Sequence, residues 1–61
     1  MFSILTVGGR FICACACWNT SRDYAVMMSR IMGESLKVVQ PNGSYLLAHP
    51  DGVTSFISVE A

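Results

Sequence analysis

The run from Phe11 to Trp18 carries no charge and no strongly polar side chain, and its period-two halves are both apolar: Phe11, Cys13, Cys15 and Cys17 on one, Ile12, Ala14, Ala16 and Trp18 on the other. A strand exposed to water on one side alternates apolar with polar residues, so a run like this one reads as a strand covered on both faces. That requirement is hard to meet within 61 residues. A chain of this size buries only about 60% of the surface that its unfolded form exposes, and natural domains this small usually add disulfides, a metal or a partner.

The punctuation around this run sets the fold class. Phe2–Val7 and Phe11–Trp18 are separated by Gly8-Gly9-Arg10 and read as an antiparallel hairpin. Thr20 followed by Asp23 forms a variant capping box, and Gly33 suits the residue that ends a helix, so Ser21–Met32 is expected to be helical. Beyond it, Leu36–Gln40, Ser44–Ala48 and Val53–Val59 are divided by the turn formers Pro41-Asn42-Gly43 and His49-Pro50-Asp51-Gly52, which predicts a three-stranded meander. The order ββαβββ, without βαβ alternation, points to one small α+β domain over residues 1–61: a mostly antiparallel sheet with a single amphipathic helix on one face.

At about 100° per residue, Tyr24, Ala25, Met27, Met28, Ile31 and Met32 share one arc of the helix, expected to face the sheet. Val26 is the one apolar residue on the opposite arc. A lone helix covers one sheet face, and the small Ala14 and Ala16 suit its close approach. The cysteine side of the second strand is therefore assigned to another chain, and Phe11, Cys13, Cys15, Cys17 and Val26 are the candidate interaction residues.

Composition narrows the chemistry. With 52% hydrophobic and 13% charged residues and a mean hydropathy of +0.48, the chain is too apolar for disorder and has apolar surface to spare for a partner. Arg10, Arg22, Arg30 and Lys37 are scattered and the net charge is zero, which supplies no basic stripe for nucleic acid. No apolar run approaches the roughly 20 residues of a membrane-spanning helix, and Met1–Val7 lacks the basic start of a secretory leader, so a cytoplasmic protein with reduced thiols is expected.

Cys13, Cys15 and Cys17 invite a soft metal or a redox role, but alternate strand residues stand about 6.6 Å apart, whereas sulfurs sharing one metal must lie within roughly 4 Å. Three cysteines also leave one unpaired in any disulfide scheme. His49 next to Asp51 resembles an acid–base pair, yet Pro50, Asp51 and Gly52 already explain that segment as a turn. No nucleophile elbow, phosphate loop or dinucleotide fingerprint is present, and no cofactor or small-molecule substrate is implied. The sequence is read as a non-enzymatic interaction module that binds another protein, itself or both. A small inhibitor of the phage or mobile-element kind is one form of this, and a thiol-dependent metal or redox protein is the alternative.

Overall fold

The computed structural model describes residues 1–58 and contains, in chain order, β1 (Phe2–Thr6), β2 (Phe11–Cys15), α1 (Trp18–Met32), β3 (Leu36–Val39), β4 (Tyr45–Ala48) and β5 (Thr54–Ile57). The strands form one sheet in the order β2-β1-β3-β4-β5, antiparallel at every pairing, and the helix packs on one face. This is the α+β architecture expected from the punctuation. The expected last strand extended to Val59, which lies outside the described residues.

All three hairpins close with the same turn. The glycine N–H donates to the carbonyl three residues back in Gly9 to Thr6, Gly43 to Gln40 and Gly52 to His49, at 2.9, 3.0 and 2.9 Å. The N–H of the opening residue then donates to the carbonyl after the glycine: Thr6 to Arg10, Gln40 to Ser44 and His49 to Val53, at 2.8, 2.7 and 2.9 Å. This is the three-residue hairpin loop ending in a left-handed residue, and Gly43 and Gly52 adopt φ values of 94° and 91° that side chains resist. Asn42 and Asp51 brace the last two turns, each accepting through Oδ1 the N–H two residues on, at 3.0 Å.

Alternation along the strands sorts the core. Ile4, Leu36, Val38, Leu46 and Ala48 point toward the helix and, with Ala25, form the buried cluster. Phe2, Ile12, Cys13, Cys15, Trp18, Tyr24, Val26 and Met28 pack around it.

Three expectations are corrected. The helix begins at Trp18, not Ser21, and its N-cap is Cys17 without a side-chain capping bond, so Thr20 is not the cap. Trp18 explains the shift: its ring packs 5.2 Å from that of Phe2 and 6.3 Å from that of Phe56. Covering a large apolar side chain contributes about 1.5–3 kcal/mol against about 1 kcal/mol for a cap.

The helix also presents a different arc. Ser21, Ala25 and Ser29, spaced by four, are wholly buried, while Met27, Ile31 and Met32 are 51%, 70% and 39% exposed. The sheet already fills the space between the layers with Ile4, Leu36, Val38 and Leu46, so small residues let the helix axis approach. Burying the two serines costs little, since Ser21 Oγ donates to the Cys17 carbonyl at 2.8 Å and Ser29 Oγ reaches the Val26 and His49 carbonyls at 2.8 and 3.2 Å.

Finally, the helix covers the cysteine face and not the alanine face: Cys13 and Cys15 pack against the core, whereas Ala14 is exposed. A bulge breaks the period of two, because Ile4 pairs with Cys13 and Leu5 with Phe11, leaving Ile12 as the extra residue. Phe11 and Cys13 therefore lie on opposite faces of the sheet. The expected strand Phe11–Trp18 ends at Cys15, which takes Cys17 and Trp18 out of the alternation altogether.

Candidate functional site

The face of the sheet away from α1 has no element over it among the described residues. The register arranges its side chains in two rows across the strands. One runs Phe11, Leu5, Lys37, Leu47, Ser55, and the other Ala14, Ser3, Val39, Tyr45, Ile57. Leu5, Val39, Tyr45, Leu47 and Ile57 are half-buried by their neighbours alone, and Phe11 is 59% exposed. Lys37 stands at the middle of the central strand, flanked by Leu5 and Leu47, with Nζ 4.9 Å from the centre of the Tyr45 ring. An ammonium in that position is attracted by the ring face and lies along the apolar surface rather than projecting from it.

Of the expected interaction residues, only Phe11 belongs to this face. Cys13, Cys15 and Val26 pack against the core on the other side, and Cys17 is exposed at the start of the helix. The structure thus brings no common surface out of the five. The bare face is formed instead by residues such as Leu5, Lys37, Val39, Tyr45, Leu47 and Ile57, and its sequence signal is that Leu36–Val39 and Tyr45–Ala48 carry apolar residues on both faces just as Phe11–Trp18 does.

The thiols differ in character. Burial raises the pKa of Cys13 above 9.0, helped by the neighbouring Cys15, while the Tyr24 hydroxyl pulls in the opposite direction. Cys17 is lowered from the same value, first by the nearby Thr20 backbone N–H, then by the Thr20 hydroxyl and the Asn19 N–H, which favour the thiolate at the start of the helix without closing a capping bond. Among the described residues, no cluster of three or more His, Cys, Asp or Glu side chains is arranged to hold a metal ion.

His49 is half-buried and its Nδ1 lies 2.9 Å from Ser35 Oγ. Asp51 takes no part in this contact, since its carboxylate accepts the Val53 N–H. Ser35 follows the C-terminal end of α1, where the helix dipole disfavours a developing oxyanion. With Ser29 bonded to the His49 carbonyl, the contact ties the helix and its exit loop to the β4–β5 turn. A shallow depression of about 510 Å³ beside Ser35, lined by Thr6, Val7, Gly8 and Glu34, holds no histidine or cysteine. No helix among the described residues is long and apolar enough to cross a membrane. Comparison with known proteins finds no matching family model, no matching curated protein and no matching solved structure.

Proposed function

We propose that the chain is a protein-interaction module that docks another protein on the bare face of its sheet. The observation that carries this reading is the composition of that face: Leu5, Phe11, Val39, Tyr45, Leu47 and Ile57 around a single ammonium. Contiguous apolar surface with a sparse polar component is characteristic of interaction sites. Lys37 selects the partner's chemistry. A second copy placed face to face would bring two Lys37 ammonium groups toward one dry centre, whereas a partner presenting an apolar surface with one Asp or Glu gives Lys37 a counter-ion. An inhibitor that occupies a functional surface of its target is one form that such a module takes. Affinity purification of the tagged chain from cells that produce it tests this. One protein should co-purify with wild type and with Ile31→Glu, and be lost with Leu47→Glu. Equal recovery by all three would contradict the proposal.

The thiol alternative narrows to Cys17, the exposed cysteine with a lowered pKa.

A further inference from the structure

We propose that Asn42 is a modification site: its side-chain amide is lost to attack by the backbone nitrogen of Gly43, and an aspartate takes its place in an uncovered turn whose geometry already suits one. This does not rest on the bare face being a docking surface.

The β3–β4 turn brings the reacting groups together. Pro41, Asn42 and Gly43 are all exposed. Asn42 Oδ1 accepts the Ser44 N–H at 3.0 Å, which holds the side-chain amide against the backbone and polarises its carbonyl, as a fixed backbone donor does for a carbonyl under attack. Gly43 supplies the nucleophile one residue on. It has no side chain to hinder the approach, and nothing stands within 4 Å of the place that a Cβ would take, so water reaches the turn. The Gly43 N–H is bonded to the Gln40 carbonyl at 3.0 Å and must leave it before giving up its proton, and the tip of a hairpin opens locally at little cost.

The chemistry balances with water alone. Solvent base takes the Gly43 amide proton, the nitrogen forms a bond to Asn42 Cγ, and the bond from Cγ to the side-chain nitrogen breaks as ammonia leaves with a proton from water. Water then opens the cyclic imide. Opening at Cγ restores the backbone with an aspartate at position 42, and opening at the main-chain carbonyl routes the backbone through the side chain. The sum is an amide and water giving a carboxylate and ammonium, which adds one negative charge to a chain whose net charge is zero.

The β4–β5 turn shows what the product meets. Asp51 Oδ1 accepts the Val53 N–H at 3.0 Å, and the Gly52 N–H donates to the His49 carbonyl at 2.9 Å, the same pair of bonds in the same kind of turn. A carboxylate at position 42 therefore keeps the bond to Ser44. The two turns differ in cover. The Arg30 guanidinium lies 2.6 Å from the place that a Cβ would take at Gly52, which shields that glycine on a side that Gly43 leaves open. The other side-chain amides are poorly placed. Asn19 stands in the first turn of α1 before the β-branched Thr20, and Gln40 precedes Pro41, which has no N–H to give up.

Timed incubation of the folded chain at neutral pH, read by peptide mass spectrometry, tests the proposal. The peptide containing Asn42 should gain about 1 Da and separate into two products of equal mass, while the peptide containing Asn19 stays unchanged. In Asp51→Asn, which repeats the Asn-Gly pair beneath Arg30, conversion at position 51 should be at least about ten-fold slower than at position 42. Asn42→Asp should keep the wild-type circular dichroism and denaturant midpoint. No gain at position 42 by the time the same chain, unfolded in guanidinium, is half converted would overturn the proposal. Equal rates at positions 42 and 51 would overturn the argument from cover, and a lowered midpoint in Asn42→Asp would overturn the claim that the turn suits its product.

Discussion

Lys37 lies across the bare face of the sheet with its ammonium 4.9 Å from the centre of the Tyr45 ring, one strand away. It is the only charged side chain among the ten that form the two rows of that face. On the proposed reading, that charge opposes face-to-face closure on a second copy. Lys37→Met is therefore expected to raise self-association through the bare face, read as light scattering that increases with concentration and falls again in Lys37→Met combined with Leu47→Glu. Lys37→Glu is expected to abolish binding of a partner that presents a carboxylate. Unchanged scattering in Lys37→Met would show that Lys37 does not guard the face.

Ser29 carries a packing prediction. It is wholly buried between the helix and the sheet and bonded to the Val26 and His49 carbonyls. Ser29→Val adds volume and removes the donor, and should destabilise the fold by about 1–3 kcal/mol in denaturant unfolding. Met27→Ala, at an exposed position, should stay within about 0.5 kcal/mol of wild type. The opposite ranking would restore the methionine arc as the face toward the sheet.

The turns and the helix end were legible because each depends on a few adjacent residues. Pro41-Asn42-Gly43 and Pro50-Asp51-Gly52 specify the same hairpin chemistry, and Gly33 ends the helix at φ 70°, with its N–H on the Ser29 carbonyl. The faces were not legible, for two physical reasons. Hydropathy counts Ser21 and Ser29 as polar, whereas carbonyls within reach of their hydroxyls make them suitable for a tight helix–sheet contact. The single extra residue in β2 then reverses the alternation between Phe11 and Cys13, and a bulge is a matter of pairing with β1 that no local pattern in Phe11–Cys15 announces. That the second strand is apolar on both sides was readable from its residues, while which side the helix covers follows from that register.

The cysteines should separate by pH. Because donors at the start of α1 lower the pKa of Cys17 and burial raises that of Cys13, alkylation of Cys17 should reach half its maximal rate at a lower pH than that of Cys13. Mass spectrometry of timed iodoacetamide reactions on the folded chain resolves the two sites. Cys17 should be modified first at neutral pH. Equal rates, or Cys13 leading, would mean that the first-turn donors do not favour the Cys17 thiolate.

Photo-crosslinking in the cells that produce the chain would report whether the bare face receives another protein. A benzophenone side chain at position 47 stands in the middle of the face, and one at Val53, exposed beside the β4–β5 turn, serves as the control. One protein should be crosslinked from position 47 and not from position 53, displaced by excess purified wild-type chain and not by Lys37→Glu. No crosslink specific to position 47, or the same products from both positions, would contradict it.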